Sequence, residues 1–163
     1  MELTATRTIA ADRATVWTAL NDADTLKACI PGCEELTGSP EDGFSAVVKQ
    51  KVGPVKATFK GEVVLSDVVP LQGYTITGEG KGGVAGFAKG AAQVTLSDAA
   101  DGGTDLHYVV DAKVGGKLAQ LGSRLIDSFA RKMADQFFDR FQARLEGTDL
   151  PEADTDTANP DTA

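Results

Sequence analysis

The last third of the chain decides what the rest must become. Beyond Gly115-Gly116, the residues Leu118, Leu121, Leu125, Phe129, Met133, Phe137 and Phe141 recur at helical spacing. They place one apolar stripe along a single helix predicted from about Lys117 to Glu146. At ~1.5 Å per residue that helix is roughly 45 Å long, enough to cross a small domain. An apolar face of that length cannot remain in water, so the preceding residues must supply a surface that covers it.

They supply a sheet. Glu2–Ala10 alternates in the manner of a half-buried strand. Asp12 then reads as the N-cap of a short helix carrying Val16, Trp17 and Leu20, and Asp22 as the cap of a second carrying Leu26. The second helix must stop at Ile30, because a residue before proline is biased away from helical geometry. From Cys33 to about Val114 the period is two. Ala46, Val48, Gln50 and Val52 share one strand face, with Lys49 and Lys51 on the other. After Gly53-Pro54, the residues Val55, Ala57, Phe59, Gly61, Val63 and Leu65 alternate with Lys56, Thr58, Lys60 and Glu62. A two-residue turn sets Val52 opposite Val55 and brings both apolar sets to one side. Further strands are predicted at Gly73–Gly78, Phe87–Leu96 and Thr104–Val114. The result is an α+β sandwich with the long helix on the concave side of an antiparallel sheet.

Many residues on the inner sheet face are small: Ala57, Gly61, Gly78, Ala92 and Ala112. Facing leucines, phenylalanines and a methionine, they leave either an apolar pocket or a strongly curved sheet whose space the helix fills. Both readings stand at this level.

The chemical inventory is thin. Gly78-Glu79-Gly80-Lys81-Gly82-Gly83 has the spacing G-x-G-x-x-G, but it leads into another strand rather than a helix, so no dinucleotide site is expected. A loop rimming the pocket, with Phe87 as a gate, is the better use for it. Gly115-Gly116-Lys117 lacks the remaining residues of a phosphate loop. Cys29 and Cys33 are four apart, and with one histidine in the chain a structural zinc has too few ligands. His107 falls on the polar strand face, and no acid–base pair or activated nucleophile forms around it. No catalytic residue, metal or covalent cofactor is expected.

Charge separates the ends of the chain. Of the net −8, the tail from Gly147 carries Asp149, Glu152, Asp154, Asp156 and Asp161 without a basic residue. Residues 147–163 are expected to be a disordered acidic tail. No basic stripe with interleaved aromatics indicates nucleic acid. The start, Met1-Glu2-Leu3-Thr4, lacks a basic segment followed by an apolar run, which predicts a cytoplasmic chain. Lys49, Lys51, Lys56 and Lys60 cluster on the outer face of one hairpin and form a candidate contact for a partner or an anionic membrane.

Three segments together resemble one family: Leu26–Glu34 (Leu-Lys-Ala-Cys-Ile-Pro-Gly-Cys-Glu), Val52–Gly61 (Val-Gly-Pro-Val-Lys-Ala-Thr-Phe-Lys-Gly), and Gly115–Asp127 continuing to Phe138. They are similar to the CoxG family of molybdenum carbon monoxide dehydrogenase subunits, within the START/Bet v 1-like (SRPBCC) superfamily. The resemblance covers about Met1 to Leu145. It implies a helix-grip fold over residues 1–146, with a seven-stranded antiparallel sheet wrapped around the long helix and two short helices after the first strand. It also implies a non-catalytic accessory role beside a molybdenum CO dehydrogenase or related hydroxylase, at the inner face of the cell membrane and near the respiratory chain. A quinone or lipid is then the expected apolar ligand. Leu118, Leu121, Leu125, Phe129 and Met133 would hold it from the helix, Phe59, Tyr108 and Val110 from the sheet, with Trp17, Ile30 and Phe87 near the ends. Some members extend further into a segment suited to membrane attachment. The short acidic tail here would be repelled by an anionic leaflet, so transient contact is expected instead. Two alternatives remain at this level: a docking or assembly adaptor with an incidental cavity, and an enzyme acting on a small molecule, since the superfamily includes catalysts.

Overall fold

The computed structural model describes residues 1–147. Strand β1 (Glu2–Ile9) is followed by α1 (Arg13–Leu20) and α2 (Ala23–Cys29), then by β2 (Cys33–Ser39), β3 (Gly43–Val52), β4 (Val55–Val69), β5 (Gly73–Lys81), β6 (Phe87–Asp98) and β7 (Thr104–Gly115). Helices α3 (Lys117–Gln120) and α4 (Ser123–Glu146) close the described chain. All seven strands form one antiparallel sheet in the order β1-β7-β6-β5-β4-β3-β2. From β2 onward consecutive strands pair as hairpins, while α1 and α2 carry the chain from β1 at one edge to β2 at the other. This is the seven-stranded helix-grip architecture.

Local chemistry sets the boundaries. The Asp12 carboxylate accepts from the Thr15 N–H at 2.8 Å, and Asp22 accepts from the Thr25 hydroxyl at 2.7 Å and its N–H at 3.0 Å. These bonds favour the charged form and hold both carboxyls below their ordinary range. Helix α2 ends where expected: Ile30, before Pro31, adopts ψ 118°. Val52 opposes Val55 across a turn in which Gly53 takes φ +58°.

One prediction needs correction. The C-terminal helix is not continuous from Lys117. Gly122, at φ 90° and ψ 154°, separates a single turn, α3, from α4. Those angles lie outside helical space and are accessible to glycine. The 24 residues of α4 span about 36 Å.

The buried side chains fall into two groups. The larger gathers Ile9, Val16, Leu106, Tyr108, Phe138 and Phe141 with others beneath α1 and the second half of α4. The smaller consists of Val52, Leu118 and Ile126, with Val55, Phe59, Leu121 and Phe129 packed against it. The predicted acidic tail lies outside the described residues beyond Gly147.

A hollow between the sheet and the long helix

The floor of the candidate site comes from strict alternation. On the concave face, Ala46, Gly61, Gly80 and Ala88 form one cross-strand row, and Val63, Gly78, Gly90 and Ala112 form the next. Glu79 and Lys81, of opposite parity, are exposed on the other face. The glycines are present for different reasons. A methyl group at Gly78 would come within 2.4 Å of Val63 Cγ1, and one at Gly90 within 2.3 Å of the Asp111 carbonyl. At Gly80 it would meet no atom within 4 Å, and at Gly61 nothing nearer than the Glu79 carbonyl at 3.6 Å. Over this pair the concave face is open space.

The roof is α4, which crosses the sheet from one side to the other. Its backbone comes closest to β3 and β1 and stands away from the central strands. Near its start, Leu125 rests on the β3–β4 turn, where a methyl at Gly53 would lie 2.7 Å from Leu125 Cδ2. Near its end, Arg7 of β1 donates to Asp139 at 2.9 Å and to the Gln142 side-chain oxygen at 2.6 Å. Its guanidinium also stands 5.8 Å from the Phe138 ring centre. Gln142 donates to the Thr8 carbonyl at 3.0 Å, and the Ala10 N–H donates to Glu146 at 2.9 Å. The helix is therefore tied to the sheet at both ends and packs on α1 and α2 as well. Inward-facing Ala57, Val63, Ala92, Ala112, Leu125 and Met133 belong to neither core and stay half-buried. Together with the open space over Gly61 and Gly80, these half-buried apolar side chains mark a gap between the two cores, referred to below as the hollow.

That hollow is chemically quiet. Tyr74 and Tyr108 lie on the concave face on either side of Val94. Both are buried, and burial pushes both phenols above their usual range. Tyr108 stacks on Phe138 at 5.0 Å, and the Tyr74 hydroxyl has no hydrogen-bond partner among the described residues. Cys29 is buried in the larger core, which raises its thiol to about 11. His107 shares a 2.8 Å hydrogen bond with Thr6. Among the described residues no three His, Cys, Asp or Glu side chains gather as metal ligands would.

The residues singled out from sequence divide into several groups. Leu118 is buried in the smaller core, with Leu121, Phe129 and Phe59 against it. The Phe59 ring also lies where a methyl at Gly82 would sit, 2.5 Å away. Leu125 lies against Gly53, and Met133 is half-buried outside both cores. Tyr108 belongs to the larger core and Val110 packs on it. Trp17 packs on Tyr74, with ring centres 5.4 Å apart, and so serves the larger core. Ile30 is half-buried at the end of α2, outside both cores. Phe87 requires correction as a gate, because it pairs with Lys81 and Gly115 on the convex face and its ring covers Gly115. Gly78 and Gly80 are likewise strand residues rather than a loop. Lys51 faces Lys56 across the first hairpin, Lys60 faces Lys81, and Lys49 pairs with Glu34 at 3.3 Å. A groove of about 540 Å³ is bordered by Thr37, Ser45, Lys60, Glu62, Glu79 and Lys81 of this convex face and also touches Ala46 and Gly61.

Sequence reasoning missed Gly80, Gly90 and Ala88 in the floor. The alternation of Gly78 and Gly80 with Glu79 and Lys81 was the available signal. It also missed Ile126 and Phe138, which are buried where the stripe pointed to their neighbours.

Residues 6–146 match the family model for CoxG, a carbon monoxide dehydrogenase subunit. A conserved protein from Geobacillus kaustophilus superposes with a TM-score of 0.84 at 27% identity, covering 90% of this chain and 96% of that one. A protein from Mycobacterium smegmatis aligns at 18% identity and TM-score 0.66, covering 91% and 93%. One from Chromobacterium violaceum aligns at 16% and 0.65, covering 89% and 97%. The last two likenesses concern the fold alone. No curated protein sequence matches the chain.

Proposed function

Because this chain belongs to the CoxG family of carbon monoxide dehydrogenase subunits, we propose that it is a non-catalytic accessory protein that carries an apolar molecule, a quinone or a lipid, in the hollow beneath α4. The observation that carries this reading is the open space above Gly61 and Gly80, set between two separate apolar cores. An apolar space of this kind is poorly served by water, which needs two to four polar partners, and is well served by a ring or chain. Half-buried Leu125 and Met133 would border the space from the helix. Tyr74 and Tyr108 supply the polar handles at the closed end. A buried phenol without a partner costs stability, and a ligand oxygen would relieve it. In a dehydrogenase that passes electrons to the respiratory chain, a quinone carrier closes the gap between protein and membrane. No described helix is long and apolar enough to cross a membrane, so contact with the bilayer would be peripheral.

The test is direct. Protein purified from a respiring host is extracted with organic solvent and the extract analysed by mass spectrometry. A quinone or lipid near one equivalent is expected. Folded protein that carries nothing, and that takes up no apolar molecule added afterwards, would overturn the carrier reading and leave a docking adaptor.

A further inference from the structure

Three turns meet at one end of the sheet, and the central one carries apolar side chains into solvent. The β4–β5 turn lies between the β2–β3 and β6–β7 turns. Strand β4 continues from Val64 to Val69 past Val63, its last partner in β3, so the β4–β5 hairpin projects as an arm. On that arm Val64 is 54% exposed, Val68 46%, Val69 48% and Leu71 39%, and none of the four belongs to either core. Large apolar side chains gathered on one exposed arm mark a contact surface rather than ordinary scatter.

The backbone of the tip points the same way. Leu71 takes φ +66° and Asp67 φ +53°. Aspartate tolerates the left-handed region, whereas leucine is crowded there and glycine or asparagine would fit at less cost. Leu71 thus combines a disfavoured backbone with an exposed side chain, and the isolated fold gains from neither. The conformation is nonetheless pinned. The Arg13 guanidinium donates to the Leu71 carbonyl at 3.2 Å, the Gln72 N–H to the Val69 carbonyl at 2.9 Å, and the Leu96 N–H to the Gln72 carbonyl at 2.8 Å. A knob already held in shape loses little freedom on binding. Strand addition is a poor use for it. The pairing slips between Ser66 and Val69, and a bulge of that kind bends an edge away from a further strand.

Charge selects the occupant. The turns on either side supply Glu41, Asp42, Asp98 and Asp101, and the arm itself supplies Asp67. Residues 39–43, 66–73 and 97–105 contain no lysine or arginine. Arg13, which reaches them from α1, is already paired with Asp98 at 2.7 Å. An anionic leaflet would repel this ring, and a second copy of the chain would set acid against acid. A protein surface with an apolar recess bordered by lysines or arginines satisfies both the side chains and the charge.

We propose that the β4–β5 tip is a protein-docking knob whose valines and leucine enter such a recess on the dehydrogenase that this accessory chain serves. The inference rests on the accessory reading for the identity of the partner, while the surface is read from the tip itself.

The experiment measures binding of the full chain to purified molybdenum carbon monoxide dehydrogenase holoenzyme by surface plasmon resonance, at about 0.05 M and about 0.5 M salt. Wild type is expected to bind, and to bind more weakly at the higher salt. Leu71→Asn removes the apolar side chain and suits a left-handed backbone. Glu41→Lys/Asp67→Asn alters two carboxylates that make no ion pair among the described residues. Each is expected to weaken binding about tenfold or more at low salt, with a melting temperature no lower than wild type. Variants that bind the dehydrogenase as wild type does would overturn the docking knob and leave the accessory reading standing. Wild type that does not bind would end both. Co-sedimentation with phosphatidylcholine vesicles containing about 30 mol % phosphatidylglycerol tests the membrane alternative. Loss of vesicle binding in Leu71→Asn, with dehydrogenase binding intact, would assign the tip to lipid and overturn the protein partner.

Discussion

Gly61 and Gly80 face each other at the centre of the sheet, and at Gly80 the space a side chain would fill is open for 4 Å around the added carbon. Its backbone does not adopt positive φ. Gly80→Val therefore meets neither a steric nor a conformational obstacle. Glycine weakens a strand interior, and a β-branched residue suits it, together by about 1 kcal/mol. For a chain of this length that corresponds to a rise in melting temperature of roughly 3 °C. The same substitution places three carbon atoms inside the hollow. If they displace about three ligand methylenes at ~0.8 kcal/mol each, binding weakens by ~2.4 kcal/mol, about fiftyfold. Thermal unfolding and a fluorescence titration with anilinonaphthalene sulfonate read the two effects on one sample. The variant should be more stable and bind less. A fall of several degrees would mean the space is packed, and unchanged affinity in a stabilised variant would place the ligand elsewhere.

Other perturbations act on the frame around the hollow. Phe129→Trp enlarges a half-buried ring on the helix side and should abolish dye uptake while circular dichroism stays native. Gly53→Ala forces a β-carbon to 2.7 Å from Leu125 at φ +58° and should cost about 1–2 kcal/mol in urea unfolding. Arg7→Met removes the clasp on Asp139 and Gln142. Because the aspartate is 56% exposed, the loss should be about 1–2 kcal/mol and smaller in 1 M salt. The Cys29 thiol, raised from 9.0 to about 11 by burial, keeps its proton in the folded state after the unfolded chain has lost it. Its contribution is complete below pH 9 and lost as pH rises toward 11, so melting temperature should fall across that window. Cys29→Ala should flatten part of the slope.

The element order was readable because its signals are local and strong. The Val52/Val55 register, the two aspartate caps and the stop at Pro31 each follow from a few neighbouring residues, and each stands where it was expected. Strand β2 is the exception. Cys33–Ser39 lies inside the period-two region but contains one large aliphatic residue and is mostly exposed, as an edge strand is, so its alternation is too weak to set it apart as a strand. Its presence was implied by family resemblance rather than by pattern. The break at Gly122 was hidden for a different reason. A glycine inside an apolar repeat costs a helix about 1 kcal/mol, which tertiary packing routinely overrides. Only the chain's need to turn from β7 onto the concave face decides that Gly122 leaves helical space.

The hollow was half legible, and the illegible half concerns the meaning of glycine. Gly78, Gly80, Gly82 and Gly83 look alike in sequence and suggest one flexible loop. In the structure they have separate tasks. Gly78 lets Val63 lie over it, Gly82 makes room for the Phe59 ring, Gly83 supplies a positive φ, and Gly80 leaves space empty. Parity separates the first two strand positions from the loop, because Glu79 and Lys81 between and after them are exposed. Parity cannot say whether a missing side chain is replaced by a neighbour or by nothing. That depends on how far α4 stands from the sheet, which is fixed by contacts at its ends: Leu125 on Gly53, and Arg7 on Asp139 and Gln142. The emptiness over Gly80 is thus a property of distant clasps rather than of the strand. Shortening the side chain at either clasp should change dye affinity without touching a residue of the floor.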